Sequence, residues 1–211
     1  MNLPNKLTIF RLIMFIPLLI LITLFDILVK KTIHSYDIAG RIILSLILLI
    51  FIVGMITDFF DGKIARKFNQ VTSFGKLWDP IADKLVITTL LLFLSIYGYI
   101  PFWITIIFVA RDLVVDGSRI IMAQNKIGIE ASIWGKLKTF MQTFAIIFVL
   151  IIAITYDFSS PKHLFYSAKG QDYLFWLSLY LINIPIIVSL FFSILSGYKY
   201  LKTIKPFLNT K

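Results

Sequence analysis

Four aspartates are the residues of this chain best placed to do chemistry. Only eleven of its residues are acidic, and Asp58, Asp61, Asp79 and Asp83 fall within 26 positions of one another. Asp58 and Asp61 are spaced i, i+3, and Asp79 and Asp83 i, i+4, so on helices each pair shares one face. The 17-residue connection between the pairs returns the chain to its starting level, and the two pairs can face each other. Carboxylates that close repel unless a cation neutralises them. Oxygen donors in a chain with no cysteine favour Mg²⁺, Mn²⁺ or Ca²⁺. His34 and His163 fall on the opposite side of the expected layout, which leaves imidazole out of this site. Two divalent ions about 3.5–4 Å apart suit a displacement at phosphorus. Simpler readings exist for single members. Asp79 followed by Pro80 has the form of a helix N-cap with proline at the first helical position, and Asp58 alone could be a solvated helix end. Four aspartates converging from two helices are poorly explained as separate caps, and ionisable groups beside membrane helices are functional by default.

The elements that must position these residues are membrane helices. Hydrophobic types make up 59% of the 211 residues and charged types 15%, with a mean hydropathy of +0.90. Ordinary soluble domains hold about 45–50% apolar and about 25% charged residues. That excludes a soluble domain, a disordered chain and a disulfide scaffold. Uncharged runs, with a turn at Gly98–Pro101 splitting the longest, place six helices near 10–29, 39–60, 79–98, 102–123, 135–156 and 173–198. The expected fold is an all-α integral membrane protein, a single domain over residues 1–211, with Leu3–Arg11 as a short interfacial segment before the first span. That first span reads as a retained helix rather than a cleaved signal, since it is long and contains Pro17. With both termini cytoplasmic, fifteen Lys and Arg fall inside and five outside, with Arg111 within the fourth helix. Trp78 and Trp134 then sit at inner boundaries and Trp103 and Trp176 at outer ones. The aspartates face the cytoplasm in this layout, in a multi-pass protein of the cell membrane. The net charge of +10 is spread along one membrane face, which fits lipid headgroups or phosphorylated substrates better than nucleic acid.

The run Asp58-Phe59-Phe60-Asp61-Gly62-Lys63-Ile64-Ala65-Arg66, eight residues, Gly75, three, Asp79, three, Asp83 resembles the signature of the CDP-alcohol phosphatidyltransferase family. All eight specified positions of that signature are matched. The resemblance implies a six-helix membrane enzyme, usually a homodimer, although no helix shows a compelling small-xxx-small face. It implies CDP-diacylglycerol as donor, with CMP displaced by an alcohol. Asp58, Asp61 and Asp79 are then expected to hold Mg²⁺ or Mn²⁺, two ions, with Asp83 sharing the metal and acting as the general base. Gly62 and Ala65 lack bulk and would let a nucleotide approach. Arg66 offers a planar fork to a diphosphate, Thr72 a hydroxyl, and Gly75 a tight turn beside the ligand.

The remaining basic residues address the acceptor. Arg111 lies within a helix, and with Arg119, Lys136 and Lys138 it would form a basic pocket suited to an acceptor that itself carries phosphate. The competing reading pairs Arg111 with an aspartate for packing alone. Asn2-Leu3-Pro4-Asn5-Lys6-Leu7-Thr8-Ile9-Phe10-Arg11 resembles the amino-terminal segment of the bacterial phosphatidylglycerophosphate synthases within that family, which makes Asn5, Thr8 and Arg11 possible substrate contacts. Gly135-Lys136-Leu137-Lys138-Thr139 with Gln142 resembles a second such segment, and Arg111-Asp112 a third. The acceptor implied is sn-glycerol 3-phosphate. Alternatives are another acceptor, such as serine, inositol phosphate or phosphatidylglycerol, or a divalent-cation transporter.

Overall fold

Six long helices account for nearly all of the described residues of a computed structural model, which are 2–31, 38–67, 72–125, 133–155 and 179–208. They are α1 (Leu3–Lys31), α2 (Ile38–Lys67), α3 (Ser73–Ile96), α4 (Phe102–Gln124), α5 (Ile133–Thr155) and α6 (Ile184–Leu208). Four of them, α1, α2, α5 and α6, are long and apolar enough to cross a membrane. The other two are interrupted by charge, α3 by Asp79, Asp83 and Lys84, and α4 by Arg111, Asp112, Asp116 and Arg119.

The predicted boundaries of α4 and α5 hold to within two residues. Three expectations change. Leu3–Arg11 is not a separate interfacial segment, because α1 runs unbroken through it. The segment contains no glycine, and Pro4 stands in the first turn, where its missing N–H had no helical partner to lose. The connection between the aspartate pairs is also mostly helix: α2 continues to Lys67, and α3 starts at Ser73 rather than at Asp79. Asp79 is therefore no N-cap. Thr72 takes that position, its Oγ accepting a bond of 3.1 Å from the Gly75 N–H. Finally, α6 ends at Leu208, ten residues beyond expectation. The predicted start of this last helix, 173–178, lies outside the described residues, and residues 179–182 are helical.

The contacts divide the chain into two compact units. The first comprises Met1–Phe93 and Ile147–Tyr166, the second Leu94–Ile146 and Ser167–Lys211. In the first unit α1 packs against α2, around buried Leu18, Phe25, Leu44, Ile47, Phe51 and Leu90. Phe25 meets Phe93 edge to face at 5.4 Å between ring centroids. The orientation of α1 is inverted relative to a water-soluble helix. Asn5, Thr8 and Arg11 are buried while Ile13, Ile16 and Ile20 are exposed, as a lipid solvent requires.

In the second unit α4 packs against α6. Its entry is the turn expected at Gly98–Pro101. Gly98 adopts φ 76°, a left-handed conformation open to glycine. The Tyr99 N–H donates to the Leu94 carbonyl at 2.8 Å, closing the end of α3. Asn183 Nδ2 donates to the Tyr99 carbonyl at 2.9 Å, tying the segment before α6 to this turn.

Candidate active site

In the first unit the carboxylates converge on one arginine. Arg11 projects from α1 and is 2% exposed. Its Nη1 donates to Asp58 Oδ1 of α2 at 2.5 Å and to Asp83 Oδ1 of α3. Its Nη2 lies 3.5 Å from Asp79 Oδ1. One turn earlier on α1, Thr8 Oγ donates to the same Asp79 oxygen at 2.5 Å. One turn earlier again, Asn5 Oδ1 accepts from Thr72 Oγ at 2.6 Å. Asn5, Thr8 and Arg11 are spaced i, i+3, i+6, so a single face of α1 holds the signature residues of α2 and α3 in place.

The helical register explains the rest of this corner. Asp79 and Asp83 stand one turn apart on α3, and Pro80 between them leaves the Lys76 carbonyl without its i+4 donor. Gly75 lies in the first turn of α3 rather than in a loop. A Cβ there would stand 3.2 Å from Asp79 Oδ2, 3.5 Å from Thr72 Oγ and 3.7 Å from Asn5 Oδ1. Glycine is what lets the Asp79 carboxylate lie down against the helix. Thr72 spends its hydroxyl proton on Asn5 and its oxygen on the helix cap. Asp61, Gly62, Ala65 and Arg66 belong to the last turns of α2, and their side chains lie outside the described residues. A small cavity within this unit, walled by Met14, Leu18, Ile50, Gly54 and Val86, reaches Arg11 and Asp83.

The donors are all carboxylate oxygens, the chemical type a hard divalent cation takes. As placed, Asp58, Asp79 and Asp83 close on the Arg11 guanidinium, and no three acidic or histidine side chains among the described residues are grouped as metal ligands.

The second unit holds the basic residues. Arg111 of α4 donates through Nε to the Ser193 carbonyl of α6 at 2.8 Å and through Nη1 to Asp112 Oδ1 at 2.8 Å. Lys138 of α5 donates to both Asp112 oxygens, at 2.7 and 2.9 Å. Arg111, Asp112 and Lys138 thus form one network in which two cations share one carboxylate. Lys138 also lies over the Phe108 ring, at 5.8 Å from its centroid. Arg119 is elsewhere on α4, stacked over Tyr200 at 5.4 Å and donating to its hydroxyl at 3.3 Å. Lys136 is exposed and stands apart from the network.

The sequence reading missed the contribution of α6. Ser189, Ser193 and Ser196 are fully buried. Ser189 donates to the Lys138 carbonyl at 3.1 Å, while the hydroxyls of Ser193 and Ser196 have no partner among the described residues. A Cβ on Gly197 would come 3.3 Å from Arg111 Cγ, and one on Gly135 3.4 Å from Ser196 Oγ. The signal was available: Ser189, Ser193 and Gly197 recur every four residues. They make a small-residue face that is used within the chain, against α4 and α5.

Fold and site together define an integral membrane protein of the helical class with three carboxylates gathered on one buried arginine. The family model described as CDP-alcohol phosphatidyltransferase matches residues 1–195, and the chain belongs to that family. Similar proteins include one from Rickettsia typhi, 36% identical over 98% of this chain and 98% of its own length. Another, from Mycoplasma genitalium, is 35% identical over 94% of this chain and 82% of its own length. A third, from Bacillus subtilis, is 32% identical over 94% and 93%. All three are named CDP-diacylglycerol–glycerol-3-phosphate 3-phosphatidyltransferase.

Proposed function

We propose that this chain transfers the phosphatidyl group of CDP-diacylglycerol to sn-glycerol 3-phosphate, giving phosphatidylglycerophosphate and CMP. The convergence of Asp58, Asp79 and Asp83 on one buried cation is the structural observation that carries the reading. The shared name of relatives matched over nearly their full length supports the choice of substrates. The family match spans residues in both compact units, which supports reading residues 1–211 as one functional domain.

Residue roles follow from charge and position. Asp58, Asp61, Asp79 and Asp83 would hold Mg²⁺ or Mn²⁺, in two sites. When bound, the metal offsets charge on the diphosphate and on departing CMP. Asp83 takes the proton of the acceptor hydroxyl as that oxygen bonds to the lipid-bearing phosphorus and the bond from phosphorus to the CMP oxygen breaks. Arg66 binds the diphosphate. Gly62 and Ala65 leave room for the nucleotide, and Thr72 and Gly75 set the start of α3 beneath it. Asn5 and Thr8 act by fixing Thr72 and Asp79.

In the second unit, Arg111 and Lys138 bind the acceptor's phosphate. Asp112 fixes both cations, and Arg111 Nη2 makes no hydrogen bond among the described residues, leaving donors for an incoming anion. Arg119, engaged with Tyr200, and exposed Lys136 stand outside this network and add positive charge only at longer range. Turnover by the purified protein in lipid, given CDP-diacylglycerol and a panel of acceptors, tests the assignment. Glycerol 3-phosphate should be preferred, and a preference for inositol phosphate or serine would refute it.

We further place all six helices across the cell membrane, with both termini and the aspartates on the cytoplasmic side, in a homodimer. The basic bias of the connections supports the sidedness, and the homodimer rests on the family resemblance alone. Single cysteines introduced at Lys67 and Lys162 should label from opposite sides of intact cells. Labelling from the same side would overturn the layout.

A further inference from the structure

Arg11 occupies an unusual place for a fixed positive charge. It is buried, it comes from a third helix, and its guanidinium contacts the carboxylates of Asp58, Asp79 and Asp83. The oxygens it engages are the ones a divalent ion in this cluster would need. Each carboxylate offers about four lone-pair sites over two oxygens, so arginine and metal can share an acid, but each draws on the other's donors. A guanidinium in such company does two things. It keeps like charges together, since three neighbouring carboxylates left without their cation repel one another. It also repels any second cation placed among the same oxygens.

We propose that Arg11 is a built-in counter-cation of the carboxylate centre: it holds the centre assembled without metal and weakens the binding of divalent ions, so that metal exchanges rather than stays locked in. The inference rests on the reading that this cluster binds divalent cations. A guanidinium that only joined helices would make the protein uniformly less stable when removed, with or without metal. A counter-cation has the opposite sign in its two effects. Its removal leaves the metal-free centre self-repelling, and makes the same centre a stronger sink for metal.

The test uses the full chain in lipid nanodiscs. Mn²⁺ binding is followed by the spin resonance of the free ion, and thermal unfolding is measured in chelator and in saturating Mn²⁺. Arg11→Gln should unfold at a lower temperature than wild type in chelator, and regain most of the difference in Mn²⁺. Its Mn²⁺ affinity should rise about tenfold, the change one unit charge about 6 Å from a divalent ion produces even at the dielectric of water. Arg11→Lys keeps the charge and loses the fork. It should bind Mn²⁺ within about threefold of wild type while unfolding earlier in chelator. Unchanged or weaker Mn²⁺ binding by Arg11→Gln would overturn the proposal, as would a tenfold gain in Arg11→Lys. If Arg11→Gln can be purified only with Mn²⁺ present, that dependence is the expected loss of the metal-free state. Wild-type protein that binds no Mn²⁺ would overturn the metal reading of the cluster together with this inference.

Discussion

The two polar centres of this protein are built with opposite arithmetic. In the first unit one cation, Arg11, is clasped by three carboxylates. In the second, one carboxylate, Asp112, is clasped by two cations, Arg111 and Lys138. Each centre is organised around a single residue of the minority sign, and that residue fixes geometry without cancelling the charge. The first is left with an excess of negative charge and the second with an excess of positive. In the first centre only the arginine is buried, and its three carboxylates keep 30–40% of their surface exposed, open to a ligand of the other sign. The sign of each imbalance among these contacts matches the proposed function, in which the first centre receives divalent cations and the second a phosphate.

The harshest way to break this comparison is to remove a carboxylate. Asp79→Ala deletes an acid held by both Thr8 and Arg11, and turnover should drop by more than the roughly 10⁴-fold attributable to a lost general base. Radiolabelled CMP release is the measurement, and substantial residual turnover would mean that the first centre is not the catalytic one. Asp83→Asn keeps the shape and removes the base. Here a loss of about 10²–10⁴-fold in kcat is expected, with donor binding retained in a CDP-diacylglycerol binding assay.

Arg111→Ala probes the second centre. Losing a partly buried charge contact should raise the acceptor KM by about 10–100-fold with the donor KM nearly unchanged. An unstable protein with normal kinetics would instead assign Arg111 to packing. The smallest effect sharpens rather than breaks the contrast. Gly197→Ala places a Cβ 3.3 Å from Arg111 Cγ, and only a few tenths of an ångström of displacement relieves it. The acceptor KM should rise by about threefold, the cost of a slightly misplaced anchor, while metal dependence stays as in wild type.

The two centres were unequally legible from the sequence. The aspartates stood out because charge is rare in this chain and their spacing is helical. The turn before α4 was legible because Gly98 needs a left-handed backbone that few other residues tolerate. The start of α3 was not, since Asp79-Pro80 has the local form of a cap and Thr72, the real cap, lacks an acidic residue three positions on. The sequence offers Arg11 as a possible substrate contact. The carboxylates it meets lie 47 to 72 residues away in the chain, and no periodicity records such a pairing. The serine face of α6 escaped because serine is unremarkable in composition. Its role becomes visible only when α4 and α5 are packed against it.

α1 has a consequence of another kind. Its 29 residues form one continuous helix with Pro17 in its interior, about 43 Å long at 1.5 Å per residue, and its apolar stretch alone covers 24 residues, about 36 Å against a hydrocarbon layer of about 30 Å. A stretch longer than the layer is accommodated by tilting, by bending at a point such as Pro17 or by local thickening of the bilayer. Asn5, Thr8 and Arg11 are carried on the same helix as the exposed isoleucines. A change in acyl-chain length therefore reaches the grip on Thr72, Asp58, Asp79 and Asp83 through this one helix. Through α1, the thickness of the membrane becomes a mechanical input to the carboxylate centre.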